Sequence, residues 1–262
     1  MPENLHSLYF FAYFDPNLAF FNTAMEISPY ILLAAALLPA VILMVFILRR
    51  DSKHPEPAWQ LVKAFLFGVI SVFVSTLFST PFVSLLPGGY TNATTAVLYS
   101  FGAAAIPEEI AKLIMLWLFL RNNKHFDEHL DGVVYAVCVG LGFASLENIM
   151  YLTGAGEDWL GTAIARGLLS VPGHFFFAVL MGYYYSLVHF GHDSTRNRIF
   201  VLAAPVLAHG IYDALCMTAE VTPAMQAVLT IALLLFCNEL RKLGTRHIRE
   251  LVENDNIYNH FS

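Results

Sequence analysis

The sequence predicts an all-α fold: a polytopic integral membrane bundle of about seven transmembrane helices, with the N-terminus outside and the C-terminus cytoplasmic. Three observations carry this. The 262 residues are 57% hydrophobic and only 13% charged, about half the charged share of a soluble domain. Apolar runs recur along the chain at the length of about 20 residues that a bilayer crossing needs. Lys and Arg gather in alternate loops, as they do when one side of a membrane faces the cytoplasm.

The expected spans run Pro29–Leu48, Leu61–Leu86, Thr94–Leu120, Asp131–Thr153, Gly161–Phe190, Ile199–Ala219 and Pro223–Asn238. Residues 1–28 are aromatic, broken by Pro16 and without a basic start, so they read as an extracytoplasmic interfacial segment rather than a cleaved signal. Residues 29–240 form the membrane domain, and 241–262 a solvated cytoplasmic tail. Arg49, Arg50, Lys53 and Lys63, then Arg121 and Lys124, Arg196 and Arg198, and Arg241, Lys242, Arg246 and Arg249 share one side, 12 of the 14 basic residues. The net charge of −6 excludes nucleic acid as a partner. Cys138, Cys216 and Cys237 all lie in apolar runs and read as buried small hydrophobes.

The two remaining cations, Lys112 and Arg166, fall inside spans, as do several acids and histidines. Each such group at bilayer depth costs about 2.5–3.5 kcal/mol on insertion scales, so a cluster needs a reason. Pro107 predicts an interruption near Ile106, with Glu108 and Glu109 opening the second half of the third span. Lys112, four residues after Glu108, shares its face. In the fourth span Phe143 and Glu147 share a face beside Asn148. Gly140 and Gly142 there would let a neighbouring helix come close. The fifth span breaks at Pro172-Gly173, before His174, and the sixth places His209 and Asp213 on one face. Glu108, His174 and His209 fall near mid-span, with Glu147 and Asp213 about 6–8 Å further out by the helical rise. Four helices can therefore converge their polar groups at one level.

Structural roles as interhelical hydrogen-bonding groups suit Glu109, Lys112 and Asn148 as well as functional ones. Arg166 reads as snorkelling or neutralising a carboxylate. Phe175 to Phe177 and Tyr183 to Tyr185 read as packing or lipid-facing. GxSxG and HExxH are absent and Cys138 has no partner at suggestive spacing. What remains is a glutamate-activated water, with a metal-bound water as the competing version.

EExxK at Glu108, Glu109 and Lys112, FxxxEN at Phe143, Glu147 and Asn148, the mid-span His174, and HxxxD at His209 and Asp213 together resemble the PrsW family. These are bacterial intramembrane proteases similar to the CAAX prenyl endopeptidases and the CPBP proteins, and the resemblance covers about Leu98 to Leu215. It implies a multi-pass protein of the bacterial plasma membrane. The reaction it implies is cleavage of a single-span membrane protein near the outer membrane face, such as the site-1 cut of an anti-sigma factor. Glu108 then takes the part of base and Glu109 of supporting acid, while His209 and Asp213 match the pair that stabilises the oxyanion. Glu147 stands where the prenyl enzymes carry histidine. No cofactor is expected on the glutamic-peptidase reading; zinc is the alternative, with Glu108, Glu147, His174 and His209 as ligands.

Two other classes remain. A proton- or ion-coupled transporter also sets Glu, His and Asp at mid-membrane, though no inverted repeat is visible. A retinal-type photoreceptor needs a lysine in the last span, and Pro223–Asn238 has none.

Overall fold

A computed structural model describes residues 28–51, 54–86 and 88–261, and all regular structure among them is helical. The interfacial segment expected over 1–28 lies outside the described residues except for Ser28. Helix α1 is Pro29–Leu48 and α2 is Ala58–Leu85. Next comes α3, Ala93–Tyr99, which runs through a π turn, Ser100–Ala105, into α4, Ile106–Leu120. Helix α5 is His129–Gly154. Helix α6, Trp159–Ala165, likewise passes through a π turn, Arg166–Ser170, into α7, Val171–His189. Helix α8 is Thr195–Val221, and α9, Gln226–Phe261, closes the chain.

Among the described residues, six helical stretches are long and apolar enough to cross a membrane: Pro29–Leu48, Ala58–Leu85, His129–Gly154, Gly156–His189, Thr195–Val221 and Pro223–Asn256. The span expected over Thr94–Leu120 is helical from Ala93 onward, but Glu108, Glu109 and Lys112 dilute its apolar character. Outward-facing Tyr30, Ile42, Leu77 and Leu235 leave broad apolar flanks on α1, α2 and α9, the surface a bilayer covers.

Helix α5 is the axis of the bundle and packs on α7, α2 and α1. Its face from Val133 to Ala144 is buried throughout. Two glycines set the close approach to α2. A Cβ on Gly68 would stand 2.0 Å from the Val139 carbonyl oxygen, and one on Gly142 would stand 2.1 Å from that of Phe65. Any larger side chain there would drive the helices apart and loosen the layer that carries the polar cluster.

The interruptions expected near Ile106 and at Pro172-Gly173 are present, as π turns rather than as gaps in the helix. Pro107 and Pro172 each occupy the first turn of a new α-helix, where a missing N–H costs nothing. The strain is absorbed one turn earlier, in the two π turns. The chain stays helical while its face rotates.

The tail is also unlike the expectation. Helix α9 continues through it, and Ile248 and Leu251 are buried against Ile47, Leu130 and Val134. Asp255 then accepts hydrogen bonds from the backbone N–H groups of His129 and Leu130 at 2.8 and 2.9 Å, capping α5. The apolar residues three apart were hidden by the Arg, Lys and Glu around them.

Candidate active site

Glu108 and Glu109 sit in the first turn of α4, directly after Pro107. His174 holds the matching position in α7, two residues after Pro172, and His209 lies four residues after Pro205 within α8. Each proline thus stands within one turn of a polar residue that points inward.

Lys112 is the hub. Its Nζ donates to Glu109 Oε1 at 2.8 Å and to Glu108 Oε2 at 3.4 Å, and it lies 3.1 Å from His174 Nδ1. The ammonium also rests 4.0 Å from the Phe143 ring centroid, a cation–π contact that helps hold it in an apolar place. An ammonium can only donate, so Nδ1 of His174 accepts and its Nε2–H faces Glu147 Oε2 at 2.9 Å. Arg166 completes that end: Nη2 donates to Glu147 Oε2 at 2.8 Å and Nε to Asn148 Oδ1 at 2.8 Å. Asn148 Nδ2 then donates to the Ala36 carbonyl of α1 at 2.8 Å.

On the other side, His209 Nδ1 lies 2.8 Å from Glu109 Oε1, and Nε2 lies 3.2 Å from Asp213 Oδ2 and 3.9 Å from Glu108 Oε2. Phe177 stacks on its ring at 4.8 Å, and the two imidazoles meet edge to face at 5.2 Å. The two glutamates differ in access. Glu109 is fully enclosed, with Oε2 buried and unpartnered, whereas Glu108 keeps 8% exposure. Glu108 is therefore the less enclosed acid of the pair.

All eight polar residues singled out from the sequence, Glu108, Glu109, Lys112, Glu147, Asn148, His174, His209 and Asp213, join one continuous network. Sequence reasoning undervalued Arg166, which is the counter-ion of Glu147. It read Phe177, three residues after His174, as packing or lipid-facing without placing it on His209, and it passed over the Ser170–Tyr212 hydroxyl pair at 3.1 Å. Helical spacing from His174 and His209 was the signal that would have found them.

Ligand atoms of Glu108, His174 and His209 lie within 4.8 Å of one another, all three residues buried. Two imidazoles and a carboxylate are a donor set found in catalytic zinc sites, so these residues fit a divalent metal in type and spacing. Glu147 stands behind that trio, as the carboxylate partner of a potential ligand histidine.

A family model described as PrsW family intramembrane metalloprotease matches residues 56–237. Protease PrsW of Geobacillus kaustophilus is 34% identical over 190 residues, covering 72% of this chain and 81% of that protein. The Bacillus subtilis protein of the same name is 33% identical over 186 residues, with 70% and 82% covered. That of Oceanobacillus iheyensis is 32% identical over 213 residues, with 77% and 93% covered. No solved structure matches. The likeness thus extends beyond Leu98–Leu215, taking in α2 and the start of α9 as well as the buried network, and this multi-pass chain belongs to the PrsW family of intramembrane proteases.

Proposed function

We propose that this protease hydrolyses a peptide bond of a single-span membrane protein near the outer face of a bacterial plasma membrane, with Glu108 as general base. The observation that carries the proposal is the asymmetry of the glutamate pair. Glu108 keeps a little exposure, while Glu109 is enclosed and committed to Lys112 and His209. In the reaction, Glu108 takes a proton from a water that attacks the scissile carbonyl. The proton passes on to the leaving amine. His209, oriented by Glu109 at Nδ1, turns its Nε2–H from Asp213 to the oxyanion, and Lys112 offsets the negative charge of Glu109, and of Glu108 until it takes the proton. The seven-crossing topology with its N-terminus outside belongs to the same reading, as does an anti-sigma factor as the substrate class.

A second reading is favoured by the closeness of Glu108, His174 and His209. Those three residues would hold a zinc ion, which supplies Lewis acidity and a more acidic water. Lys112 stands against Glu108 and His174, which supports the metal-free version.

The test is cleavage of a single-span membrane protein in detergent or liposomes, scored by product size. Glu108→Gln should lower the rate by about 10²–10⁴-fold, the usual scale of general-base loss, while the protein still folds. Chelation should leave wild-type cleavage intact; loss that returns on adding zinc establishes the metal version instead. Unimpaired cleavage by folded E108Q defeats both. Ion flux that depends on Glu108, without cleavage of any single-span protein, identifies a transporter.

A further inference from the structure

A second polar cluster lies far from the first. Asp131 and Glu147 are both on α5, sixteen residues apart, about 24 Å at the helical rise. Around Asp131 gather Glu56, from the α1–α2 connection, and Asp127, from the α4–α5 connection. Ligand atoms of Glu56, Asp127 and Asp131 lie within 4.8 Å of one another. Asp51 and Glu128 form another such group with the same Asp131.

Acids at a helix start need no special reason, because they cap it. Part of this cluster is accounted for in that way: Asp131 Oδ2 accepts from the backbone N–H groups of Asp127 and Glu128 at 3.1 and 2.7 Å. The rest is not. Asp131 is 1% exposed, and its Oδ1 is buried with no hydrogen-bond partner. A carboxylate oxygen in that state lacks a donor that burial makes costly to do without. The Tyr135 hydroxyl donates to Glu56 and so fixes that carboxylate beside the cluster. His54 and His125 border the open cleft, of about 660 Å³, with Glu56, Asp127 and Glu128.

We propose that Glu56, Asp127 and Asp131 bind a hard divalent cation, of the calcium or magnesium class, that ties the α1–α2 and α4–α5 connections to the start of α5. The donors are all oxygen, the choice of such ions over zinc. Donors about 2.4 Å from one ion stand at most about 4.8 Å apart, which is the spacing found. Because Asp255 of α9 caps the same helix end, the ion braces the place where three parts of the chain meet.

The experiment uses the full chain in detergent, stripped with chelator and titrated with calcium or magnesium by calorimetry and thermal melting. Saturable binding that raises the melting temperature is expected. Asp131→Asn keeps an acceptor for the cap but should abolish both signals. Asp127→Asn, at an exposed position, should weaken binding about tenfold or more for the loss of one charged ligand. Glu108→Gln, in the other cluster, should bind as the wild type does. No saturable binding overturns the proposal, and so does binding unchanged in both D131N and D127N. Binding lost in E108Q assigns the ion to the intramembrane cluster and overturns it too. Stability that depends on pH alone, with no cation effect, shows that a shared proton holds these carboxyls together instead.

Discussion

Arg166 Nη2 and His174 Nε2 meet on the same oxygen of Glu147, at 2.8 and 2.9 Å. Arg166 thus reaches the histidine without touching it. Its guanidinium, 3.8 Å from the Tyr151 ring centroid, also holds Asn148 and through it α1. Loss of this cation leaves Glu147 with His174 alone, so the carboxylate that orients the ring is itself no longer held.

Arg166→Lys keeps the charge but cannot serve Glu147 and Asn148 from two fixed nitrogens. Cleavage should fall about 10–100-fold, the range for groups that orient others at a site, with KM little changed. Arg166→Ala should fall further and melt lower, since a buried carboxylate stripped of its partner costs about 3–5 kcal/mol. Wild-type kcat in R166K would show that Arg166 serves packing only.

Glu108 and Glu109 should separate by what they damage. Glu109→Gln removes the enclosed charge between Lys112 and His209, so it should lower the melting temperature more than Glu108→Gln does. Glu108→Gln should lower the cleavage rate more. Measuring both quantities on both proteins decides the matter, and a reversed pattern would exchange the roles of base and support.

Asp51 gives a pH dependence outside the membrane spans. Its carboxyl stands at about 7 in the folded chain against an ordinary 3.8, so the folded state holds a proton that the unfolded chain releases between those values. The stability it contributes is complete below about 3.8 and is lost as the pH rises to about 7. In chelator-treated protein, melting temperature should decline across that window and flatten above it. Asp51→Asn should remove that share of the slope and melt higher than wild type at pH 8. A variant with the wild-type slope would remove Asp51 as the cause.

The charge alternation can be checked directly. A reporter fused after Asn122 should be cytoplasmic, and one within Gly154 to Trp159 should be outside. Both on one side would end the seven-crossing topology.

Pairs along one helix could be read from spacing. Glu108 and Lys112, Phe143 and Glu147, and His209 and Asp213 share faces at four residues apart, and each takes its expected place. Contacts between helices could not. Lys112 meets His174 across 62 residues and Glu109 meets His209 across 100, and nothing in local pattern encodes such meetings. Arg166 was ambiguous for that reason, since its counter-ion is nineteen residues away on another helix. The tail misled differently: average polarity masked the two side chains, Ile248 and Leu251, that dock it. Asp131 reads from sequence as an ordinary helix start, and its orphaned oxygen exists only once the loops close over it.

The π turn at Ser100–Ala105 has a consequence for how this chain tolerates changes in length. A π turn is geometrically what one surplus residue leaves in an α-helix. Deleting a single alanine from Ala103–Ala105 would let the segment relax into regular α-helix, with little loss of hydrogen bonds or apolar surface. Because the wide turn already absorbs that residue, the helix beyond it keeps its phase, and Glu108 and Glu109 stay turned towards His209. A second deletion finds no surplus to remove and would rotate both carboxylates about 100° away from His209, so the segment tolerates the loss of one residue and not of two.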